Sequence, residues 1–261
     1  MVSLTAVLIA YVIAALISKP NWYGVLSSTL IPHVMMNKTW LIASLGLLGT
    51  TISPYLLFWQ AGEEIEELQE GIIIQVDKMD KGVWLGMIYS NLIAFFIIIA
   101  AAVTIHSKGL EIQSVLDAEK ALIPLGRIGM AVFIIGFIAS GFLALPVLAG
   151  STAYAVAELM NWPEGFGASP AHALVFFIVL IGTLLGGAVI SLLPNFNPAD
   201  ALYYSQVLDG ILLPVLILIL LVLSNDRQIV GEKKIPSWMN FFAILTILLS
   251  LAADFAALIS H

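Results

Sequence analysis

The sequence predicts an all-α, polytopic membrane protein with about seven transmembrane helices. Three observations carry that class. The 261 residues are 61% hydrophobic and only 10% charged, with a mean hydropathy of +1.04, a composition that would leave a soluble fold coated in apolar surface. The apolar residues gather into runs near the ~20 residues that cross a bilayer as helix. In lipid a helix satisfies its own backbone, so the runs are read as helical. The length fits a single transmembrane domain over 1–261,. The expected location is the cell membrane, as a multi-pass protein.

The segments follow in order. A (2–17) opens the chain without a positively charged start, and Lys19-Pro20 is not a small-residue cleavage site, so a membrane helix is expected rather than a signal peptide,. B (39–69) is too long for one simple span and ends in charge. C (83–105), D (126–154), E (171–193), F (200–223) and G (238–259) are single spans. The links are short and polar. The C–D link, HSKGLEIQSVLDAEKALIPLGR, is expected to hold a short surface helix, and the A–B link, NWYGVLSSTLIPHVMMNK, is read as a connection. Lysine and arginine do not orient the chain. Lys19, Lys38, Lys108, Lys120 and Arg127 fall on one side, and Lys78, Lys81, Arg227, Lys233 and Lys234 on the other,. The tie admits a dual-topology protein and is equally what chance yields. Glycines inside the helices, Gly46 and Gly49 in B and the Gly182-Thr-Leu-Leu-Gly186 motif in E, are read as close packing within the bundle,.

Several function classes are excluded. With no cysteine in the chain, thiol and Fe–S chemistry are absent. A net charge of −7 argues against nucleic acid as a partner,. HExxH, GxSxG and GxxxxGK[ST] do not occur, and His33, His106, His172 and His261 lack ligand spacing to one another,. Neither an enzyme nor a bound cofactor is expected.

Two features point to chemistry inside the membrane. In B, the run Thr50-Thr51-Ile52-Ser53-Pro54 joins poor helix formers to a proline that has no N–H and pushes its predecessor out of helical geometry,. It falls near mid-span. A helix broken there frees backbone carbonyls and N–H groups, which builds ion or substrate sites in secondary transporters; the plainer reading is a proline kink. In F, Asp209 lies near mid-span with Gln206 and Ser205 on its face,. An ionisable group at that depth costs at least ~2.5–3.5 kcal/mol to insert and marks a functional site by default; the plainer reading is a hydrogen bond to a neighbouring helix. Hydroxyl, carbonyl and carboxylate oxygens suit hard divalent cations. Beyond the break, Glu63, Glu64, Glu66, Glu67 and Glu70 crowd one helix end. They form either a cation-concentrating mouth or a solvated end. As a mouth, replacing all five by glutamine is expected to slow cation uptake at low salt.

These residues carry a resemblance. GTTISPYLLFWQAGEEIEE (Gly49–Glu67) resembles the sixth helix of the NRAMP family of divalent-metal transporters, ALYYSQVLDGILLPVLILILLVLSNDRQIVG (Ala201–Gly231) resembles its tenth helix and following loop, and LALPVLAGSTAYAVAE (Leu143–Glu158) is similar to the eighth helix of a prokaryotic NRAMP-related branch. The likeness covers nearly the whole chain in order. It implies a partial leucine-transporter-type fold, with A to G as the fifth to eleventh helices, a discontinuous helix at the metal site and the glutamate end facing the cytoplasm. The chain would then be the second inverted repeat plus flanking helices.

Carried over by position, the family's Gly-Ala-Thr-Val-Met-Pro-His stands here as Gly49-Thr50-Thr51-Ile52-Ser53-Pro54-Tyr55. The resemblance places the coordinating carbonyl at Thr50, the thioether ligand's position at Ser53 and the tenth-helix glutamine at Gln206; with Asp209 these are the candidate metal ligands. Ser53 replaces a soft sulfur by a hard hydroxyl, which weakens discrimination against Mg²⁺. Tyr55 replaces a histidine linked to proton handling, and a phenol is a poor proton carrier at neutral pH. The family's first-helix Asp-Pro-Gly-Asn-type break has no counterpart in this sequence, so nearly all of the first repeat is expected to be missing.

The function implied is secondary transport of Mn²⁺, Fe²⁺ or Mg²⁺ by alternating access. The metal is substrate, and a separate chain is a candidate source of the missing N-terminal helices. The alternatives are a non-transporting subunit or inactive fragment that needs such a partner, and a Na⁺-coupled organic-solute carrier of the same fold.

Overall fold

The structure is a computed structural model. It describes residues 8–31, 35, 37–51, 53–69, 71, 76–110, 112, 114–231 and 235–259, with 76–81 described in backbone only. Among these residues all regular structure is helical. In chain order the α-helices are α1 (Ile9–Ile17), α2 (Trp22–Leu30), α3 (Lys38–Gly49), α4 (Pro54–Gln69), α5 (Val76–Thr104), α6 (Arg127–Met160), α7 (Leu174–Ser191), α8 (Pro198–Asn225), α9 (Arg227–Val230) and α10 (Ser237–Ile259). Short 3-10 segments lie at His106–Lys108 and Val115–Leu125.

Among the described residues, six stretches are long and apolar enough to cross a membrane: Lys38–Gln69, Gly82–Lys108, Arg127–Met160, Leu174–Ser191, Pro198–Asn225 and Ser237–Ile259. They correspond to segments B to G. Of segment A, expected as the seventh span, the described residues hold the nine-residue α1, and residues 2–7 lie outside the described residues.

Local chemistry sets the ends. The Asn21 side chain accepts from Gly24 N at 3.2 Å, and Asn37 from Trp40 N at 2.8 Å, so each caps a helix start,. The first of these corrects the A–B link, which is not a plain connection but holds α2. The C–D link does hold its helix, in 3-10 form. Ser114 and Asp117 close a capping box there, and Lys120 pairs with Asp117 at 2.6 Å,. α6 ends at Asn161, in left-handed conformation at φ 53°, where asparagine is tolerated,.

The chain divides into two units: Met1–Pro32 with Phe58–Ala199, and His33–Leu57 with Asp200–His261. In the first, α1 packs on α5, α6 and the 3-10 segment through Ala15, Ile99, Ala100 and Ala121, and through Ala14, Leu122 and Phe133. Small residues on α1 let the backbones close. A separate core joins α6 to α7 through Ala153, Tyr154, Ala157, Ala173 and Phe176. In the second unit, α3 packs on α8 and α10. The amides of Asn225 and Asn240 exchange two hydrogen bonds, at 2.9 and 3.1 Å, tying the end of α8 to the start of α10.

Candidate metal-binding site

The helix expected to break does so at the expected residues. α3 stops at Gly49 and α4 starts at Pro54, where the missing proline N–H costs nothing. The three hydroxyls turn back onto the end of α3. Thr50 Oγ1 donates to Leu47 O at 2.7 Å, Thr51 Oγ1 to the same oxygen at 3.1 Å, and Ser53 Oγ to Gly49 O at 3.0 Å. These bonds satisfy carbonyls that the ended helix would leave orphaned. Ser53 is only 4% exposed. Ser53 O in turn accepts from Leu56 N at 3.1 Å. Among the described residues, nothing donates to the carbonyl oxygens of Thr50 or Thr51.

Glycines bring α8 to this point. A Cβ at Gly49 would collide with the backbone oxygen of Gln206 and sit 2.6 Å from Gly210 N; one at Gly210 would collide with Leu45 O. The two backbones therefore touch, and only hydrogen at these Cα atoms permits it. Gln206 is thereby set beside the break at Thr50. Gln206 and Asp209 are both partly buried on α8, and among the described residues no hydrogen bond joins Asp209 to Thr50, Ser53 or Gln206. No group of three or more His, Asp or Glu side chains with metal-ligand geometry occurs among the described residues. The break itself carries backbone carbonyls and hydroxyl oxygens, and the helix that crosses it at Gly49 carries the Gln206 amide and the Asp209 carboxylate. Such donors suit hard divalent ions.

The glutamates of α4 separate into different roles. Glu70 lies outside the described residues. Glu64 accepts from Gln60 Nε2 at 2.9 Å along the helix. Glu66 is not a free charge at a mouth. Its Oε1 accepts from the Tyr154 hydroxyl and from Phe166 N at 2.8 Å, and its Oε2 from Gly167 N at 3.1 Å. The low-salt uptake test therefore belongs to Glu63, Glu64, Glu67 and Glu70, with Glu66 left intact. Uptake unchanged by those four substitutions would make them a solvated end.

Around Glu66 an aromatic cluster joins α4, α6 and α7. Trp59 lies 5.3 Å from Phe166 and 6.1 Å from Tyr154 between ring centroids, and Phe176 lies 4.9 Å from Tyr154. The sequence offered a signal for it in the aromatic and glycine-rich NWPEGFGASP loop, which reads as an ordinary link. Asp254 of α10 keeps one buried carboxyl oxygen without a partner among the described residues. It lines a small, mainly apolar cavity of about 240 Å³ with Leu45, Tyr204 and Val207.

Among the described residues, six stretches of bilayer length, one interrupted in mid-span, mark a multi-pass membrane protein, and interrupted helices of this kind form ion sites in secondary transporters. Residues 1–260 match the family model described as natural resistance-associated macrophage protein-like, and the chain belongs to that family, Nramp. The family is one of transporters, not enzymes, and membership implies the leucine-transporter-type fold. Similar curated proteins are each named divalent metal cation transporter MntH. That of Caldanaerobacter subterraneus subsp. tengcongensis is 26% identical over 233 residues, covering 86% of this chain and 52% of the relative. That of Clostridium acetobutylicum is 25% identical over 256 residues, covering 92% and 55%. That of Nostoc sp. is 25% identical over 251 residues, covering 91% and 54%. The chain spans about half the length of the curated relatives it matches.

Proposed function

We propose that this chain forms the half of a secondary transporter that carries the broken helix, and that the cargo is a divalent metal cation, Mn²⁺, Fe²⁺ or Mg²⁺. The observation that carries the reading is the interruption at Thr50–Ser53 pressed against α8 at Gln206. The Thr50 carbonyl, the Ser53 hydroxyl, the Gln206 amide oxygen and the Asp209 carboxylate contribute to one site. In an alternating-access cycle α4 rocks and exposes that site to each side in turn. Four neutral or singly charged oxygen donors leave a divalent ion under-neutralised. Further carboxylate from a first repeat completes the site, either from the same polypeptide or from a separate chain. The half-length match to MntH proteins supports this last point.

The test is uptake of Mn²⁺, Fe²⁺ and Mg²⁺ into proteoliposomes bearing the complete transporter. Saturable uptake of a divalent ion supports the reading. Uptake of a labelled amino acid with Na⁺, and none of metal, replaces it with an organic-solute carrier. Co-purification of an N-terminal partner with no ion binding by this chain makes the chain a subunit.

Metal choice tests Ser53 by itself. A thioether prefers softer ions, so Ser53→Met raises the ratio of Cd²⁺ or Mn²⁺ uptake to Mg²⁺ uptake by about tenfold, a difference of ~1.4 kcal/mol. An unchanged ratio in competition assays removes Ser53 from the ion's contacts.

A further inference from the structure

The broken helix is held at its far end by a carboxylate that no helix requires. Glu66, near the end of α4, has both oxygens engaged outside its own helix, by Tyr154 on α6 and by two consecutive backbone N–H groups of the α6–α7 loop. The loop is built to receive it. Gly165 has φ +120°, a conformation L-residues rarely adopt, and a Cβ there would lie 2.6 Å from Glu66 Oε1. Gly62, one turn earlier on α4, leaves room for the Tyr154 ring, since a Cβ would fall 2.9 Å from its carbons. Gly150 on α6 likewise yields its space to Trp59. Three glycines therefore fit α4 to this seat.

Beside the seat is a polar cavity of about 510 Å³, lined by Glu66, Gln69, Tyr154, Glu164 and His172. Glu164 Oε2 is buried and meets no partner among the described residues. The titratable groups facing it are Glu66 from α4, Glu158 and Tyr154 from α6, and His172 from the loop. Among the described groups no lysine or arginine neutralises this set. An ionised Glu164 would thus be a desolvated charge next to two other carboxylates.

We propose that this cluster is a proton-operated latch: the Glu66 carboxylate locks residues 58–69 of α4 onto α6 and the α6–α7 loop while Glu164 is protonated, and ionisation of Glu164 releases it. Burial pushes the Glu164 carboxyl above the usual carboxylate range, and the charges of Glu158 and Glu66 add to that. A carboxyl raised in the latched state favours that state fully below its ordinary pKa. The contribution is lost as pH rises through the raised value. The latch therefore holds in acid and loosens toward alkaline pH. The inference concerns the mechanics of α4 and does not rest on which cargo is moved.

The test is amide hydrogen exchange on the full chain in lipid nanodiscs at pH 5 and pH 8, corrected for the intrinsic pH dependence of exchange. Peptides covering 58–69 and 161–168 are compared with one from α5. The wild type is expected to lose about tenfold protection in the two latch peptides, and none in α5, between the two pH values. Glu164→Gln keeps the acid-state protection at both pH values. Glu66→Gln lacks it at both, and Tyr154→Phe, which keeps the ring and its packing, reproduces that loss in part. A wild-type pH response in Glu164→Gln, or wild-type protection in both Glu66→Gln and Tyr154→Phe, overturns the latch. Because metal uptake is not the readout, failure here leaves the transport reading standing, and failure of transport leaves the latch standing.

Discussion

Asp209→Asn lowers the divalent-cation affinity of the complete transporter by about a hundredfold or more. Among the four residues proposed to face the ion, Asp209 alone brings a charge. It sits a little under halfway along α8, where an unneeded carboxylate would be costly to insert,. Asparagine keeps the shape and one oxygen, so the loss reports charge rather than packing. Removing one partner of a desolvated charge pair typically costs ~3–5 kcal/mol, which is roughly two to three and a half decades in affinity. Titration of the purified protein with Mn²⁺ by calorimetry measures it, with circular dichroism checking the helices. Affinity within threefold of wild type would show that Asp209 serves the helix packing instead.

Gly210→Ala is expected, like Gly49→Ala, to be among the most destabilising single-methyl changes in the second unit. The added carbon has to displace Leu45 O, a backbone atom that no rotamer change can move. α3 and α8 would have to separate, giving up contacts along the crossing at a cost of about 1–3 kcal/mol. At ~2–4 °C per kcal/mol for a chain of this size, the unfolding midpoint falls by several degrees or more. The matched control is Gly182→Ala, since a Cβ at Gly182 meets nothing within 4 Å. Its midpoint should stay within a degree of wild type or rise, because alanine favours helix. Equal effects at the two sites would mean that the crossing does not hold the unit together. Metal affinity of Gly210→Ala should fall as well, since Gln206 shifts away from Thr50.

The same pair of glycines shows where pattern reading misleads. Gly182 and Gly186 form the GxxxG motif that sequence alone marks for close packing, yet each faces open space among the described residues. The contact is made by Gly49, which the sequence also marks for packing, with Gly210 of another helix, which shares no motif with it. Spacing along one helix says which residues share a face; it does not say what the face meets. Prolines teach a similar lesson. Pro146 and Pro214 lie within continuous helices, whereas Pro54 follows the end of one. What distinguishes Pro54 is its company, two threonines and a serine whose hydroxyls compete for the helix's last carbonyls,.

Composition and local chemistry were enough to determine the all-helical membrane class, the approximate spans and the break at Thr50–Ser53. Those depend on apolar run length and on which residues can continue a helix, both of which are properties of adjacent residues. The tertiary structure alone decided that the backbones of α3 and α8 touch at Gly49 and Gly210, that Glu66 is seated in the α6–α7 loop, and that Glu164 and Asp254 keep buried oxygens without described partners. Each of these joins residues far apart in the chain. In all of them the deciding quantity is an approach distance between backbones or a desolvated carboxylate, which exists only once the helices have packed.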